Sequence, residues 1–470
     1  MTSAQQRATP DQEGGATAFA WRFTTPLFVG AALNPINSSI IATALVPIAT
    51  AMHVSVGATT VLVSALYLAS AIAQPTAGKL AEEFGPRRVF LTGILLVLAG
   101  GIVGGSAQSL AVLILARVLI GIGTSAGYPS AMVLIRRRAT AVGLSAPPGG
   151  VLGGLAIAGM VTVAIGPPIG GLLVGVLGWR SAFLINVPVA LIALLMTARW
   201  IPRDERAAGP RRARAVAARV DVVGIIGFGG TMTALLVFLM GLPRLHPIPL
   251  ALVVVLAIPL VWWELRTATP FFDIRQLVTN GALGRTYLRT ALTLLGVYTV
   301  MYGLTQWLEA GRGMSAQVAG LLLLPMGALS ALVSRPLARR NLVRGPLIVA
   351  AATMLLGSVG ILFLTTHSTV LLAIGVTLVF GLCVGTNSVG NQTALYTQSP
   401  PEQIGTASGL YRTFSYVGSI ASATITGVVF RVNVTDHGLH TLAIVLIGAG
   451  VLVLVLTVLD RTLLASKENP

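Results

Sequence analysis

Fourteen stretches of mostly apolar residues run through this 470-residue chain, each parted from the next by a charge cluster or a Gly/Pro turn. They fall at 24–48, 56–75, 88–107, 111–134, 149–176, 180–200, 221–242, 247–265, 285–309, 316–334, 345–365, 369–392, 404–430 and 438–459. A helix needs about 20 such residues to cross the hydrocarbon core of a bilayer. Charged residues make up 10% of the chain and hydrophobic ones 55%. An average soluble protein carries roughly 25% charged residues, so this balance cannot clothe a water-soluble globule of the same size. A net charge of +17 would suit nucleic acid if it were gathered in one place, but the basic residues are scattered in short clusters between the apolar runs. No nucleic-acid partner is therefore expected. Cys383 is the only cysteine, which excludes a disulfide scaffold. What remains is an all-α polytopic membrane protein, since in lipid only helices and closed barrels satisfy their own backbone.

The positive-inside rule orients the runs. With both termini in the cytoplasm, outer loops hold only Arg180, Arg244, Arg312 and Arg431, and Arg117 and Arg412 lie inside apolar runs. Every other cation of the 31 falls on the inner side, a segregation that an odd number of spans would destroy. The expected location is thus the plasma (inner) membrane. The longest basic segment, Arg199 to Arg219, reads as an anchor against anionic headgroups and parts six runs from the remaining eight. Only Lys79 and Lys467 are lysines; all other cations are Arg.

Between the second and third runs stands Gly78-Lys79-Leu80-Ala81-Glu82-Glu83-Phe84-Gly85-Pro86-Arg87-Arg88. Two glycines, an acid and a basic pair read as a tight loop whose acid can bind a helix N-terminus or an Arg and latch the inner face. This loop resembles the signature of the major facilitator superfamily, Gly-x-Leu-Ala-Asp-Arg-x-Gly-Arg-Arg: Gly78, Gly85 and Arg88 match, and Glu82 stands for the usual Asp. Arg117-Val118-Leu119-Ile120-Gly121-Ile122-Gly123 in the fourth run is similar to the family's intramembrane Arg motif, which is linked there to proton coupling. Gly153 and Gly166-Pro167-Pro168-Ile169-Gly170-Gly171 in the fifth are similar to its antiporter motif, with Thr162 in place of one glycine. Gly166 and Gly170 form a small-xxx-small face for close helix contact, and Pro167 bends the helix where it must rock.

Further segments resemble the fourteen-helix drug:proton antiporter family. They are Gly178 to Pro188, Asp221-Val222-Val223-Gly224, Glu264-Leu265-Arg266, Pro270-Phe271-Phe272-Asp273, Gly313 to Pro325 and Gly405 to Gly409. The resemblance spans roughly residues 22–460 and implies the major facilitator fold, two six-helix halves of inverted repeats plus two inserted helices around a central cavity. The expected domains are a cytoplasmic tail 1–21, an N-terminal half 22–201, a basic linker 202–220, an inserted pair 221–266, a C-terminal half 267–462 and a tail 463–470.

The chain departs from that family in its first helix. Where the family carries a membrane-embedded Asp, this chain reads Ile36-Asn37-Ser38, and Asn cannot exchange a proton near neutral pH. Of the 14 acids, Asp204 and Asp460 are assigned to linker and tail, and only Glu309, at the outer end of the ninth run, is placed to face the cavity. Arg117 and Glu309 are therefore the expected coupling residues. Arg117 and Arg412 each cost roughly 2.5–3.5 kcal/mol to insert and should face the interior, with Arg289 expected to join them. The alternatives are a structural tie of Arg117 to helix carbonyls or Asn37, and anchoring of Arg412 toward the inner face.

Polar stripes mark the expected substrate path: Asn34, Asn37 and Ser38; Arg117, Thr124 and Tyr128; Tyr298, Tyr302, Gln306 and Glu309; Asn387 and Asn391. Each stripe could instead serve interhelical hydrogen bonds. Asn34, Asn37, Ser38, Tyr128, Tyr298, Tyr302, Gln306, Asn387 and Asn391 of these stripes form, with Arg412, the expected binding set, and Gly78, Glu82, Gly85, Arg88, Gly166, Pro167 and Gly170 the gating set. Two or three Arg against one carboxylate predict a positive central site that prefers anionic or neutral amphipathic substrates.

The leading expectation is a proton-coupled secondary exporter of drugs or small amphipathic metabolites. The runner-up is uptake or facilitated transport of a small anionic or neutral solute without proton coupling, because the fold runs in either direction. An enzyme would need clustered His/Asp/Glu near the bilayer, and a sensor would not need the loop and stripes. Small-molecule substrate, lipid bilayer and protons are the expected partners of a monomer, with no metal, nucleotide or other cofactor.

Overall fold

The computed structural model describes residues 19–144, 148–204, 220–240, 246–267, 270–271, 274–338, 342–399 and 404–465. Among them the chain is helical, with no strand. The first half holds α1 (Trp21–Met52), α2 (Val56–Phe84), α3 (Pro86–Gly105), α4 (Leu110–Ala141), α5 (Gly149–Leu177) and α6 (Ser181–Trp200). The inserted pair is α7 (Val222–Met240) and α8 (Pro247–Arg266). The second half holds α9 (Gly281–Thr299, continued by the π turns Val300–Leu304 and Trp307–Gly311), α10 (Ala316–Ala338), α11 (Arg344–Ile361), α12 (Val370–Gln398), α13 (Ile404–Val429) and α14 (Asp436–Val458). Residues 205–219 of the basic linker, Arg244 and Asp273 lie outside the described residues.

Twelve of these helices are long and apolar enough to cross a membrane. The other two of crossing length, α9 and α13, are richer in hydroxyls, Tyr and Arg, and they pack against each other. Polar helices survive in a bilayer only where neighbours cover them, so these two belong at the centre. α8 is the opposite case: Ile248, Val255 and Ile258 are exposed, as a lipid-facing surface requires.

Helix pairing repeats across the chain. In the first half α1 packs on α5, α2 on α4, and α3 on α4 and α6; in the second α9 packs on α13, α10 on α12, and α11 on α12 and α14. The halves meet along α5 with α10 and α2 with α13. At α5 the contact needs side chains removed. A Cβ at Gly166 would sit 1.8 Å from Ser39 Oγ, and one at Gly170 2.6 Å from Ile40 O, so these glycines seat α1. Gly171 and Gly175 face Ala316 and Gln317 of α10, and the Pro167 carbonyl abuts Gly320.

The face carrying the α2–α3 turn and Asp204 is the basic face. The opposite face is shut: Gly57 N donates to Phe430 O at 3.2 Å across the halves, and Gly427 packs on Thr60. Toward the basic face the packing is looser at two positions: a Cβ at Gly153 of α5 or Gly409 of α13 would meet no atom within 4 Å.

The expected loop between α2 and α3 is shorter than the sequence suggests. Lys79 to Phe84 continue α2, good helix formers that they are, and the turn is Gly85 alone, at φ 103°. Gly78 lies inside the helix, where an added Cβ would stand 3.7 Å from Pro129 Cβ. Glu82 is exposed and offers only its carbonyl to Arg137. The acid that latches this turn is Asp204, expected in the linker: its carboxylate accepts from Arg87 N (3.1 Å) and Arg88 N (2.9 Å), capping α3 while the Arg88 side chain stays exposed. Asp204→Ala should cost about 0.5–2 kcal/mol, the usual loss for a helix cap, whereas Glu82→Ala should leave the melting temperature unchanged.

Candidate functional site

Midway through the bundle, four tyrosines join the halves. Tyr302 of α9 donates to the Ser38 carbonyl of α1 at 2.8 Å. Its hydroxyl proton is thereby committed, so Tyr67 of α2 donates to Tyr302 in the 3.1 Å contact between them. Tyr298 stacks on Tyr302 with centroids 5.7 Å apart, Tyr67 stands edge-on to Tyr298 at 5.3 Å, and Tyr416 of α13 lies 5.7 Å from Tyr67. Tyr416 in turn donates to Gln74 of α2. Each ring pair contributes about 0.5–1.5 kcal/mol beyond its burial, and each hydrogen bond a similar net amount. Together they favour one arrangement of the halves and remain within reach of a ligand's differential binding.

Beside this cluster lies a cavity of about 180 Å³ between α5, α9, α10 and α12. Pro167, Tyr298, Met301 and Met326 give it an apolar wall, and Ser330 and Ser388 add hydroxyls. Nearer the basic face, the Arg412 guanidinium of α13 lies 3.9 Å over the Tyr128 ring of α4, both half-buried. This cation–π contact also spans the two halves.

The remaining candidates are turned into the halves. Asn37 forms a reciprocal amide pair with Asn186 of α6, at 2.7 and 2.9 Å, and is buried there. Arg117, 2% exposed, donates to the carbonyls of Leu62 (3.0 Å) and Asn37 (3.1 Å), the structural tie that stood as its alternative reading. Asn34 bridges Ser70 and Thr124. Ser38 returns its hydroxyl to Pro35 O and meets the tyrosines through its carbonyl. The three residues of the α4 stripe thus turn to different partners: Arg117 to two carbonyls, Thr124 to Asn34 and Tyr128 to Arg412.

In the second half, Arg289 does not join the central cations. Its Nε donates to Asn391, which donates to Asn387, and all three are buried. Its charge faces Asp460 at 3.6 Å, which also pairs with Arg285 at 2.9 Å. Asp460, read from sequence as part of the tail region, is 1% exposed just beyond α14. Burial raises its carboxyl, but hydrogen bonds from Arg285 and Thr462 and the charges of Arg285 and Arg289 outweigh that and hold it below its ordinary value. Its contribution to stability is complete above the unfolded carboxylate value of about 4 and is lost as pH falls through the lower folded value. Asp460→Asn should destabilise the protein by about 1–3 kcal/mol at neutral pH and flatten the acid limb of a melting-temperature profile.

On α9 beyond Tyr302, Gln306 is wholly buried with no side-chain partner among the described residues, and Glu309 is buried with Oε1 unpartnered and no ion pair among them. No group of three His, Cys, Asp or Glu side chains could hold a metal among the described residues. The sequence stripes missed the Tyr67, Ser70 and Gln74 face of α2 and the Arg412, Tyr416 and Ser419 face of α13, and the methionines of the cavity wall, which look like core. Tyr302→Phe should remove both hydroxyl contacts and increase labelling of cysteines placed at the opposite face about fivefold, with little change in melting temperature.

Residues 27–423 match the family described as Major Facilitator Superfamily. The uncharacterized MFS-type transporter YwoD of Bacillus subtilis is 33% identical over 91% of this chain and 94% of its own. The Tetracenomycin C resistance and export protein of Streptomyces glaucescens is 28% identical over 88% and 77%, and the Multidrug resistance protein Stp of Mycobacterium tuberculosis is 28% identical over 78% and 67%. The crystal structure of a point mutant of the nucleoside transporter NupG superposes with a TM-score of 0.65 at 11% identity, covering 93% of this chain and 99% of that one.

Proposed function

The chain belongs to the major facilitator superfamily, and from that premise we propose that it exports drugs or small amphipathic metabolites by alternating access, exchanging them for protons. One observation carries the reading: the halves are joined at mid-bundle by four tyrosines and shut on the face opposite the basic one, where Gly57 N bonds Phe430 O. Two relatives named for resistance or multidrug resistance, one of them also for export, support the direction. The basic face is cytoplasmic in this reading, as the distribution of Arg requires.

An amphipathic molecule arriving from the cytoplasm or the inner leaflet lodges its apolar body against Met301, Met326 and Tyr298. Seating there competes with the stacking of Tyr298 on Tyr302 and so loosens the bond between the halves. The opposite face then opens while the halves stay joined near the basic face, where Arg412 lies over Tyr128. With Arg289 neutralised by Asp460 and Arg117 held by carbonyls, Arg412 is the one cation of the three left facing the central space. The site therefore favours neutral molecules and single anions over lipophilic cations.

Glu309 is the carboxyl for coupling. It can gain or lose a proton without breaking an ion pair, and Gln306 and Tyr302 continue its line toward the basic face. Asn37, paired with Asn186, supplies no second proton site in the first half. The test is uptake into inside-out vesicles under an imposed pH gradient, comparing a carboxylate-bearing antibiotic with a cationic dye. The antibiotic should accumulate with the gradient, and Glu309→Gln should reduce that at least about tenfold, the cost of about 1.4 kcal/mol. Gradient-driven accumulation of the dye alone would overturn the charge preference, and gradient-driven uptake unchanged in Glu309→Gln would overturn the coupling role.

A further inference from the structure

Three short segments around the inserted pair, Asp221 to Gly224, Trp263-Glu264 and Pro270-Phe271, have no part in the transport path. The fold brings them to one point beneath α2, around Lys79. Asp221 is 2% exposed and adopts a left-handed backbone (φ 58°), which a non-glycine residue holds only when its surroundings demand it. Its carboxylate accepts from Gly224 N (3.1 Å), Trp263 Nε1 (2.8 Å) and Phe271 N (2.8 Å), tying the start of α7 to the end of α8 and to the chain that follows. Glu264 is fully buried beside it. A Cβ on Gly224 would lie 2.3 Å from Asp221 Oδ2 and 2.5 Å from Glu264 Oε1, so that position excludes a side chain.

Lys79 reaches this cluster from the other body. Its Nζ donates to Val220 O (3.5 Å) and Pro270 O (3.3 Å), one carbonyl on each side of the inserted pair, and it faces the charges of Asp221 and Glu264. One of only two lysines among 31 cations stands here, where Arg is the rule. A compact ammonium can point its donors at carbonyls and carboxylates on several sides; a planar guanidinium is larger and aims its donors in a fixed fork. We propose that Lys79 is a positioning residue that clasps the inserted helix pair to α2 of the first half, and that the clasp requires an ammonium. α7 packs on α2 and also touches α13 of the second half, so the clasp decides which half the pair travels with when the two move apart.

The test does not depend on which substrate is carried. A Cβ at Gly229 of α7 lies 3.0 Å from Ile72 Cδ1 of α2, so Ile72→Cys with Gly229→Cys, in a Cys383→Ala background, reports docking by disulfide yield in native membranes. The yield should be high with Lys79 present and fall about fivefold in Lys79→Gln, in Lys79→Arg and in Asp221→Asn, with chromatographic monodispersity retained. Loss in Lys79→Gln but full yield in Lys79→Arg would overturn the requirement for an ammonium. Unchanged yield in Lys79→Gln would overturn the clasp. If the lysine variants fail to fold, the lysine-containing pair still decides: a disulfide that forms poorly, or only when the opposite face is opened by Tyr302→Phe, would show that the pair does not travel with α2.

Discussion

Every polar group placed inside the bilayer needs a partner, and the residues that find one decide which parts of this molecule are rigid and which can move. Within the first half Arg117 spends its donors on two helix carbonyls and Asn37 on Asn186. Within the second, Arg289 is held by Asn391 and Asp460. These ties lie inside the halves and make each a body. The contacts that cross between halves are of another kind: ring faces, tyrosine hydroxyls and a cation over a ring. They can be exchanged for a ligand without leaving a buried charge stranded. That division of labour is what two bodies rocking about a central site require.

The glycines of α5 serve both arrangements. Gly166 and Gly170 bring α5 onto α1 inside the half, and Gly171 and Gly175 bring it onto α10 across the halves. The first contact must persist through the cycle and the second must come apart. The α1 side accordingly carries a hydrogen bond, Ser39 Oγ to the Thr162 carbonyl, while at Gly171 the partner is the Ala316 backbone.

Much of this was legible in the sequence. Hydropathy runs and the Arg distribution point to the number of helices and the six-helix division, and the pairing of α1–α6 recurs in α9–α14 although the sequence repeat is faint. The site was harder to read. A stripe at helical spacing names a face, not the neighbour that covers it. Asn387 and Asn391 share a face as expected, but it is turned to Arg289. Asp204 and Asp460 look like linker and tail from position alone, yet each folds back to hold a helix start, Asp204 at α3 and Asp460 at α9. Tyr67 and Tyr416 stand among other polar residues of their runs and acquire meaning only when α2 and α13 meet.

The central claim is that the face now shut must open during each cycle. Gly175 and Gln317 pack directly across that face, between α5 and α10. With Gly175→Cys and Gln317→Cys in a Cys383→Ala background, oxidation should trap the face closed. The account predicts that oxidised protein loses transport and that a reductant restores it. Full transport with the disulfide intact would contradict it.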